Sequence, residues 1–98
     1  MPLTRAQIIS FLDHHKDEFA QQYSVTKLGL FGSYAKGEGV MGNDVDIVVE
    51  LARPDMFSLI GVKQAIEEGL GSKVDVIRLR GRMNQTLRRK IDQDAIYV

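Results

Sequence analysis

The chain has 98 residues, of which 44% are hydrophobic, and its thirteen basic and thirteen acidic side chains cancel to a net charge of zero. This length allows one domain, residues 1–98, whose small core buries about 60–65% of the surface that the unfolded chain exposes. Cysteine is absent, which excludes disulfide scaffolds and thiol nucleophiles. The sequence shows neither a signal-peptide pattern nor an apolar run of ~20 residues, so we expect a cytoplasmic protein without membrane contact.

Helices and strands are predicted to alternate along the chain. Thr4 is a predicted helix N-cap, Pro54 and Asp55 open a later helix, and Gly69 or Gly71 ends it because glycine adopts the left-handed cap conformation readily. The predicted order is a helix from Thr4 to about Tyr23, a strand at Val25–Phe31, at most one short helix and then a loop between Ser33 and Asn43, a strand at Asp44–Leu51, a helix from Asp55 to about Leu70, a strand at Val74–Leu79, a helix at Asn84–Asp92 and an apolar tail, Ala95–Val98, that can pack or pair. This order predicts an α/β (α+β) fold with a small sheet of about three strands backed by helices, and it leaves the strand directions open.

Three aspartates lie on or beside the predicted strands. Asp44 and Asp46 are two residues apart, so their side chains project from the same face of one strand. Adjacent carboxylates repel each other unless cations lie between them, and Mg²⁺ prefers such oxygen ligands. If the second and third strands are neighbours, Asp75 completes a three-carboxylate site able to hold two metal ions. Taken singly, Asp44 is explained as a cap of the strand start after the Gly42-Asn43 turn, and Asp75 as a salt-bridge partner of Lys73 or an arginine. The combination of the three favours a metal site.

The end of the first strand carries a second candidate feature. Gly32 and Ser33 stand where the strand passes into a helix, and such a junction offers backbone N–H groups and a hydroxyl to a phosphate. Lys36 supplies a further cation about one turn later. Helix capping explains most such junctions taken alone, but a phosphate cradle that faces an acidic metal cluster is what nucleotidyl transfer requires.

These two features together resemble the signature of the DNA polymerase β-like nucleotidyltransferase superfamily. Gly32-Ser33 is followed by ten residues and then by Asp44-Val45-Asp46. The fuller wording, Gly-Ser-Tyr-Ala-Lys-Gly-Glu and then Asn-Asp-Val-Asp-Ile-Val-Val-Glu, is similar to that of the minimal nucleotidyltransferase (MNT) family. The resemblance covers nearly the whole chain and implies a small mixed sheet flanked by helices.

The resemblance also implies roles for individual residues. Gly32 and Ser33 hold the nucleotide phosphates, Asp44 and Asp46 ligate two Mg²⁺ ions, and Asp75 binds the catalytic metal and acts as, or orients, the base. The family often has arginine where this chain has Lys36, which leaves a point charge in place of a bidentate phosphate contact. The implied reaction is attack of an acceptor hydroxyl on the α-phosphorus of ATP, with pyrophosphate leaving.

The acceptor is inferred from the family. MNT proteins resemble antitoxins that pair with a HEPN-domain ribonuclease toxin and silence the toxin by adenylylating one of its tyrosines. The resemblance therefore makes protein AMPylation the leading hypothesis. Adenylylation of a small molecule is the weaker alternative because no recognition module is visible. Direct nucleic-acid binding is not expected from a net charge of zero, and a homodimer would enlarge the small core.

A non-catalytic alternative is an antitoxin that neutralises its partner by stoichiometric binding. Six cations and no acid lie between Arg78 and Lys90. This basic stretch is explained either as a solvated helix with its preceding loop or as a docking surface for an anionic group. In the binding alternative it forms the interface together with the tail Ala95–Val98.

Overall fold

The computed structural model describes residues 3–37 and 44–98. Within these two stretches the elements are α1 (Arg5–Tyr23), β1 (Val25–Phe31), α2 (Gly32–Ala35), β2 (Val45–Leu51), α3 (Met56–Leu70), β3 (Val74–Arg78), α4 (Gln85–Asp94) and β4 (Ile96–Tyr97). The predicted α/β class is confirmed, while the second half of the predicted loop before Asp44 lies outside the described residues. No helix in the described part of the chain has the length and apolarity needed to cross a membrane.

The helix ends follow from local side-chain chemistry. Thr4 and Gln7 form a reciprocal capping box at the start of α1, so two backbone donors that lack an intrahelical partner are satisfied. The Asp55 carboxylate accepts a hydrogen bond from the Phe57 N–H at 2.9 Å and begins α3. Gly71 ends α3 at φ 66°. The predicted caps at Thr4, Asp55 and Gly71 are therefore confirmed.

The sheet has four strands among the described residues, in the order β3-β2-β1-β4. β1 is antiparallel to both β2 and β4, whereas β2 and β3 are parallel. The expectation of about three strands is corrected here, because the apolar tail pairs with β1 and adds the fourth. A parallel pair needs a crossover connection, and α3 supplies it between β2 and β3.

The two faces of the sheet have different cores. Alternate residues of β2 enter the larger core, which α1 and α3 cover, and Ile47 and Ile66 are fully buried there. On the other face Val48 joins Leu79 and Ile91 in a smaller cluster beneath α4. Since side chains alternate along a strand, Asp46 lies on the α4 face, and this face therefore carries the acids.

The edge strand β4 depends on a close approach to Gly29. Gly29 pairs with Tyr97, and a β-carbon at Gly29 would lie 2.8 Å from the Ile96 carbonyl oxygen. The Val98 N–H continues the pairing by donating to the Leu28 carbonyl at 3.0 Å. The tail that the binding alternative assigned to an interface is thus an integral part of the sheet.

Gly29→Ala should destabilise the protein by about 1–3 kcal/mol, because the new methyl group pushes β4 away from β1. Urea denaturation measures this difference. Gly81→Ala is the matched control, since no atom lies within 4 Å of a β-carbon placed there. Equal stability of the two variants would contradict the close packing of β4.

Candidate active site

The three predicted acids come together at one end of the sheet. Asp46 and Asp75 are direct partners across the parallel pair β2–β3, and Asp44 immediately precedes β2. Phe31, the last residue of β1, pairs with Asp46, so the Gly32-Ser33 junction opens at the same end. The adjacency of the second and third strands, on which the three-carboxylate hypothesis depends, is therefore present.

The carboxylates perturb one another electrostatically. Partial burial raises the pKa of Asp46, and the negative charges of Asp75 and Asp44 raise it further. Both neighbours are exposed and Asp46 is half-buried, so this end of the sheet presents a concentrated negative charge to solvent. Such a cluster is stabilised by a cation placed between the groups.

This donor set fits a hard divalent cation. Carboxylate oxygens are the ligands that Mg²⁺ prefers, with water and substrate phosphates completing its coordination. The three acids are neighbours at one end of the sheet. Within residues 3–37 and 44–98, however, no three acidic, histidine or cysteine side chains are close enough together to hold a metal ion by themselves.

Gly32 lies directly against the Asp46 side chain. Its φ of +78° places it in the left-handed region, where a β-carbon is strained. A β-carbon at Gly32 would also overlap the Asp46 carboxylate. Two of the residues singled out in the sequence are thus in contact, and the bare glycine backbone lets the strand–helix junction approach the acid.

Two contacts, made by Arg5 and Asp94, which sequence reasoning missed, hold α2 in place. The Arg5 Nη1 donates to the Ala35 carbonyl at 3.2 Å, and the Lys36 Nζ lies 3.5 Å from the Asp94 carboxylate. α2 is thereby tied to α1 and to α4. Lys36, predicted to face the nucleotide, is paired with Asp94 and not with the strand acids. The sequence carries no local signal for either contact, since the partners are 30 and 58 residues apart.

Asp46→Asn should stabilise the protein by about 0.2–1 kcal/mol at pH 7 in metal-free buffer, because it removes a charge that faces Asp75 directly. A carboxyl group whose pKa is raised on folding favours the folded state below its unfolded pKa of about 3.9 and loses that contribution as pH rises through its folded pKa. The difference between the variant and the wild type should therefore vanish below about pH 4. Urea denaturation at both pH values measures it, and a less stable variant at pH 7 would contradict the repulsion.

Comparison with known proteins places these features in a family context. Residues 12–98 match the model of the nucleotidyltransferase domain family. A Methanocaldococcus jannaschii protein, provisionally named a protein adenylyltransferase, is 35% identical over 98 aligned positions, and the match covers 97% of this chain and 98% of that protein. Protein adenylyltransferase MntA of Thermococcus cleftensis is 31% identical over 97 aligned positions, and the match covers 98% of this chain and 97% of that protein.

Solved structures share the fold. A structure provisionally described as a minimal nucleotidyltransferase has a TM-score of 0.72 at 25% identity and covers 90% of this chain and 93% of its own. A toxin–antitoxin structure with AMP-PNP has a TM-score of 0.70 at 23% identity, covering 87% and 70% of the two chains. A tri-AMPylated Shewanella oneidensis HEPN toxin in complex with its MNT antitoxin gives 0.62 at 21% identity, covering 90% and 69%.

Proposed function

Because this chain belongs to the nucleotidyltransferase domain family, and within it to the minimal nucleotidyltransferases, we propose that it transfers AMP from ATP to a hydroxyl group of a partner protein. The observation that carries the proposal is the contact of Gly32 with Asp46, with Asp75 alongside on the neighbouring strand. A strand–helix junction and an acidic pair are thereby joined at one end of the sheet, as transfer of a nucleotidyl group requires.

Different residues are assigned to the phosphates and to the metal ions. Gly32 and Ser33 bind the β- and γ-phosphates through backbone N–H groups and the serine hydroxyl. Asp44, Asp46 and Asp75 would hold two Mg²⁺ ions, whose charge would neutralise the triphosphate and lower the pKa of the attacking hydroxyl. The assignment of Mg²⁺ is supported by the hard oxygen donors of the three carboxylates.

The transfer step is a substitution at the α-phosphorus. The acceptor oxygen forms a bond to that phosphorus as the bond to the β-phosphate bridging oxygen breaks, and pyrophosphate leaves. Asp75, which is exposed, takes or orients the proton of the acceptor hydroxyl. The protein contributes mainly by positioning these groups in line.

We assign a HEPN-domain toxin as the partner, which makes this chain an antitoxin that acts in the cytoplasm through a single domain over residues 1–98. Two observations support the assignment: a relative of nearly equal length is named protein adenylyltransferase MntA, and the fold is shared with a complex of an MNT antitoxin and a tri-AMPylated HEPN toxin. In the binding alternative, the tail would take part as the edge strand of the sheet, since it pairs with β1.

Intact mass spectrometry tests this function. The chain is incubated with the protein encoded by the neighbouring gene, ATP and Mg²⁺, and the partner should gain one or more AMP units. Omission of ATP, or chelation of Mg²⁺ by EDTA, should abolish the gain. An unchanged partner mass in the complete reaction would overturn the transferase proposal and favour stoichiometric binding.

Lys36→Met is expected to raise the KM for ATP about tenfold, because the triphosphate loses one cation, with kcat nearly unchanged. Thermal stability should change little, since Lys36 is 52% exposed in its ion pair with Asp94 and exposed pairs contribute about 0–1 kcal/mol. Steady-state kinetics at varied ATP measure the effect. Asp94→Asn is the control, since it breaks the same ion pair but keeps the cation; an equal rise in KM would assign the effect to the pair itself.

A further inference from the structure

Glu67 lies in the last turn of α3, where a carboxylate is electrostatically unfavourable. The C-terminal end of a helix carries partial negative charge, so an acidic side chain there is repelled and a basic one is attracted. No basic residue lies in this last turn to offset the charge. The stability of α3 therefore does not account for the choice of glutamate at this position.

The Glu67 side chain holds the start of β3. Its Oε2 accepts a hydrogen bond from the Val74 N–H at 3.1 Å, and its own backbone carbonyl accepts from the Gly71 N–H at 2.8 Å. A single residue thus bonds both ends of the short connection, residues 71–73, that leads from α3 into β3. The side-chain bond is the one that a substitution can remove.

Strand β3 depends on such a contact because it lies at the edge of the sheet. Among the described residues its one strand neighbour is β2, and the outer side of an edge strand has backbone groups without a strand partner. On the inner side, the Lys73 carbonyl accepts from the Val45 N–H at 3.3 Å. Val74 is only 2% exposed, and a buried N–H without an acceptor is unfavourable. The Glu67 carboxylate supplies that acceptor.

Asp75 directly follows the residue that Glu67 holds. It is the second residue of β3 and stands opposite Asp46 in the parallel pair. Its side chain is exposed, so packing contributes little to its placement. A carboxylate that takes part in proton transfer must lie within hydrogen-bond distance of the reacting hydroxyl. The placement of Asp75 therefore depends on how firmly Val74 is held.

We propose that Glu67 is a positioning residue for nucleotidyl transfer, which fixes Asp75 by holding the Val74 N–H. This inference rests on the proposed function, because that function assigns Asp75 to the acceptor hydroxyl. Glu67 touches neither substrate: its oxygen is bonded to the backbone, and its effect passes through one residue of β3. Since a shift of a reacting group by about 1 Å lowers the rate about a hundredfold, one backbone hydrogen bond at this place affects turnover.

The nucleotide side of the site should be independent of Glu67. Gly32 and Ser33 belong to α2, which follows β1, and β2 lies between β1 and β3. Loss of the Glu67 contact should therefore lower kcat and leave the KM for ATP nearly unchanged. A partly unfolded preparation would also show a lower kcat, so circular dichroism at the assay temperature measures the folded fraction of each variant.

Three variants separate the contact from the charge, with the protein encoded by the neighbouring gene as the acceptor. Glu67→Ala removes the acceptor oxygen and should lower kcat for AMP transfer about ten- to a hundredfold. Glu67→Gln keeps an oxygen in place without the charge and should retain kcat within about threefold. Glu68→Ala is the matched control and should match the wild type, since it removes an equal charge from an exposed side chain that points about 100° away on α3.

Amide hydrogen exchange measures the same contact without any reaction. In buffer free of ATP and metal, NMR should show that the Val74 N–H exchanges about tenfold faster in Glu67→Ala than in the wild type, because its acceptor is lost. The same N–H should stay protected in Glu67→Gln and in Glu68→Ala.

Each alternative result has a defined meaning. Wild-type kcat in folded Glu67→Ala would overturn the inference and leave the proposed function intact, and so would an unchanged Val74 exchange rate in that variant. An equal loss of kcat in Glu67→Gln would assign the effect to the charge, and an equal loss in Glu68→Ala would assign it to the helix end; both would overturn the inference. If the wild type transfers no AMP, the proposed function fails, and the Val74 exchange rate then decides whether Glu67 holds the start of β3.

Discussion

Asp44→Asn or Asp46→Asn should reduce AMP transfer about a thousandfold, the effect of losing several kcal/mol of charge stabilisation in the transition state. Both residues stand at the start of β2, beside Asp75 on the parallel strand β3. An amide keeps the shape of the side chain and removes the negative charge that would hold Mg²⁺. Quantitative mass spectrometry of the modified partner measures the loss.

The accompanying controls separate lost chemistry from lost folding. Asp17→Asn, an exposed acid on α1, should retain wild-type activity. The Asp46→Asn variant should be at least as stable as the wild type, since it relieves a repulsion. Full transfer activity in both strand variants would contradict the assignment of the acids to metal binding. Neutralisation of the partner without transfer would instead support the stoichiometric alternative.

Gly32→Ala should lower kcat/KM about a hundredfold, because misplacing a reacting group by about 1 Å costs roughly that much. The new β-carbon would overlap the Asp46 carboxylate and force it away from its position beside Asp75. The residue also has a positive φ of 78°, which costs a non-glycine residue about 1–2 kcal/mol of stability. Kinetics and urea denaturation of one preparation measure both effects.

Gly71→Ala is the matched control for the backbone contribution. Gly71 has a comparable φ of +66°, yet no atom lies within 4 Å of a β-carbon placed there. This variant should lose a similar amount of stability and keep its activity. A hundredfold activity loss in both variants would attribute the Gly32 effect to general destabilisation and would contradict a specific contact with Asp46.

Local chemistry made much of the fold predictable. Thr4, Asp55 and Gly71 mark helix ends through hydrogen bonds and conformations that involve only adjacent residues, so a single sequence is sufficient to place them. The alternation of acids and aliphatic residues in β2 likewise predicts two faces. The motif identified the family for the same reason: its residues are close in sequence as well as in space.

Long-range pairing could not be predicted in the same way. Strand β4 has only two residues, Ile96–Tyr97. Two residues are too few to show the side-chain alternation of a strand, so the pairing of β4 with β1 depends on tertiary contact. The parallel direction of β2 and β3 follows from the α3 crossover and not from either strand. The ion pair of Lys36 with Asp94 joins α2 to α4 across 58 residues, and neither side chain has a local pattern that requires it.

The aspartates of β2 and β3 also limit misfolding. Asp46 is flanked by residues that are fully buried, Val45 and Ile47. A slip of one residue would exchange the two faces of a strand, driving this carboxylate into the aliphatic core beneath α1 and bringing Ile47 out into water. Burial of an unpaired charge is far more costly than the loss of one strand-pairing step. The same acids that we assign to nucleotidyl transfer thus also fix the register of the strands during folding. A variant in which both strands are uniformly aliphatic would lose that protection against mispaired, aggregation-prone forms.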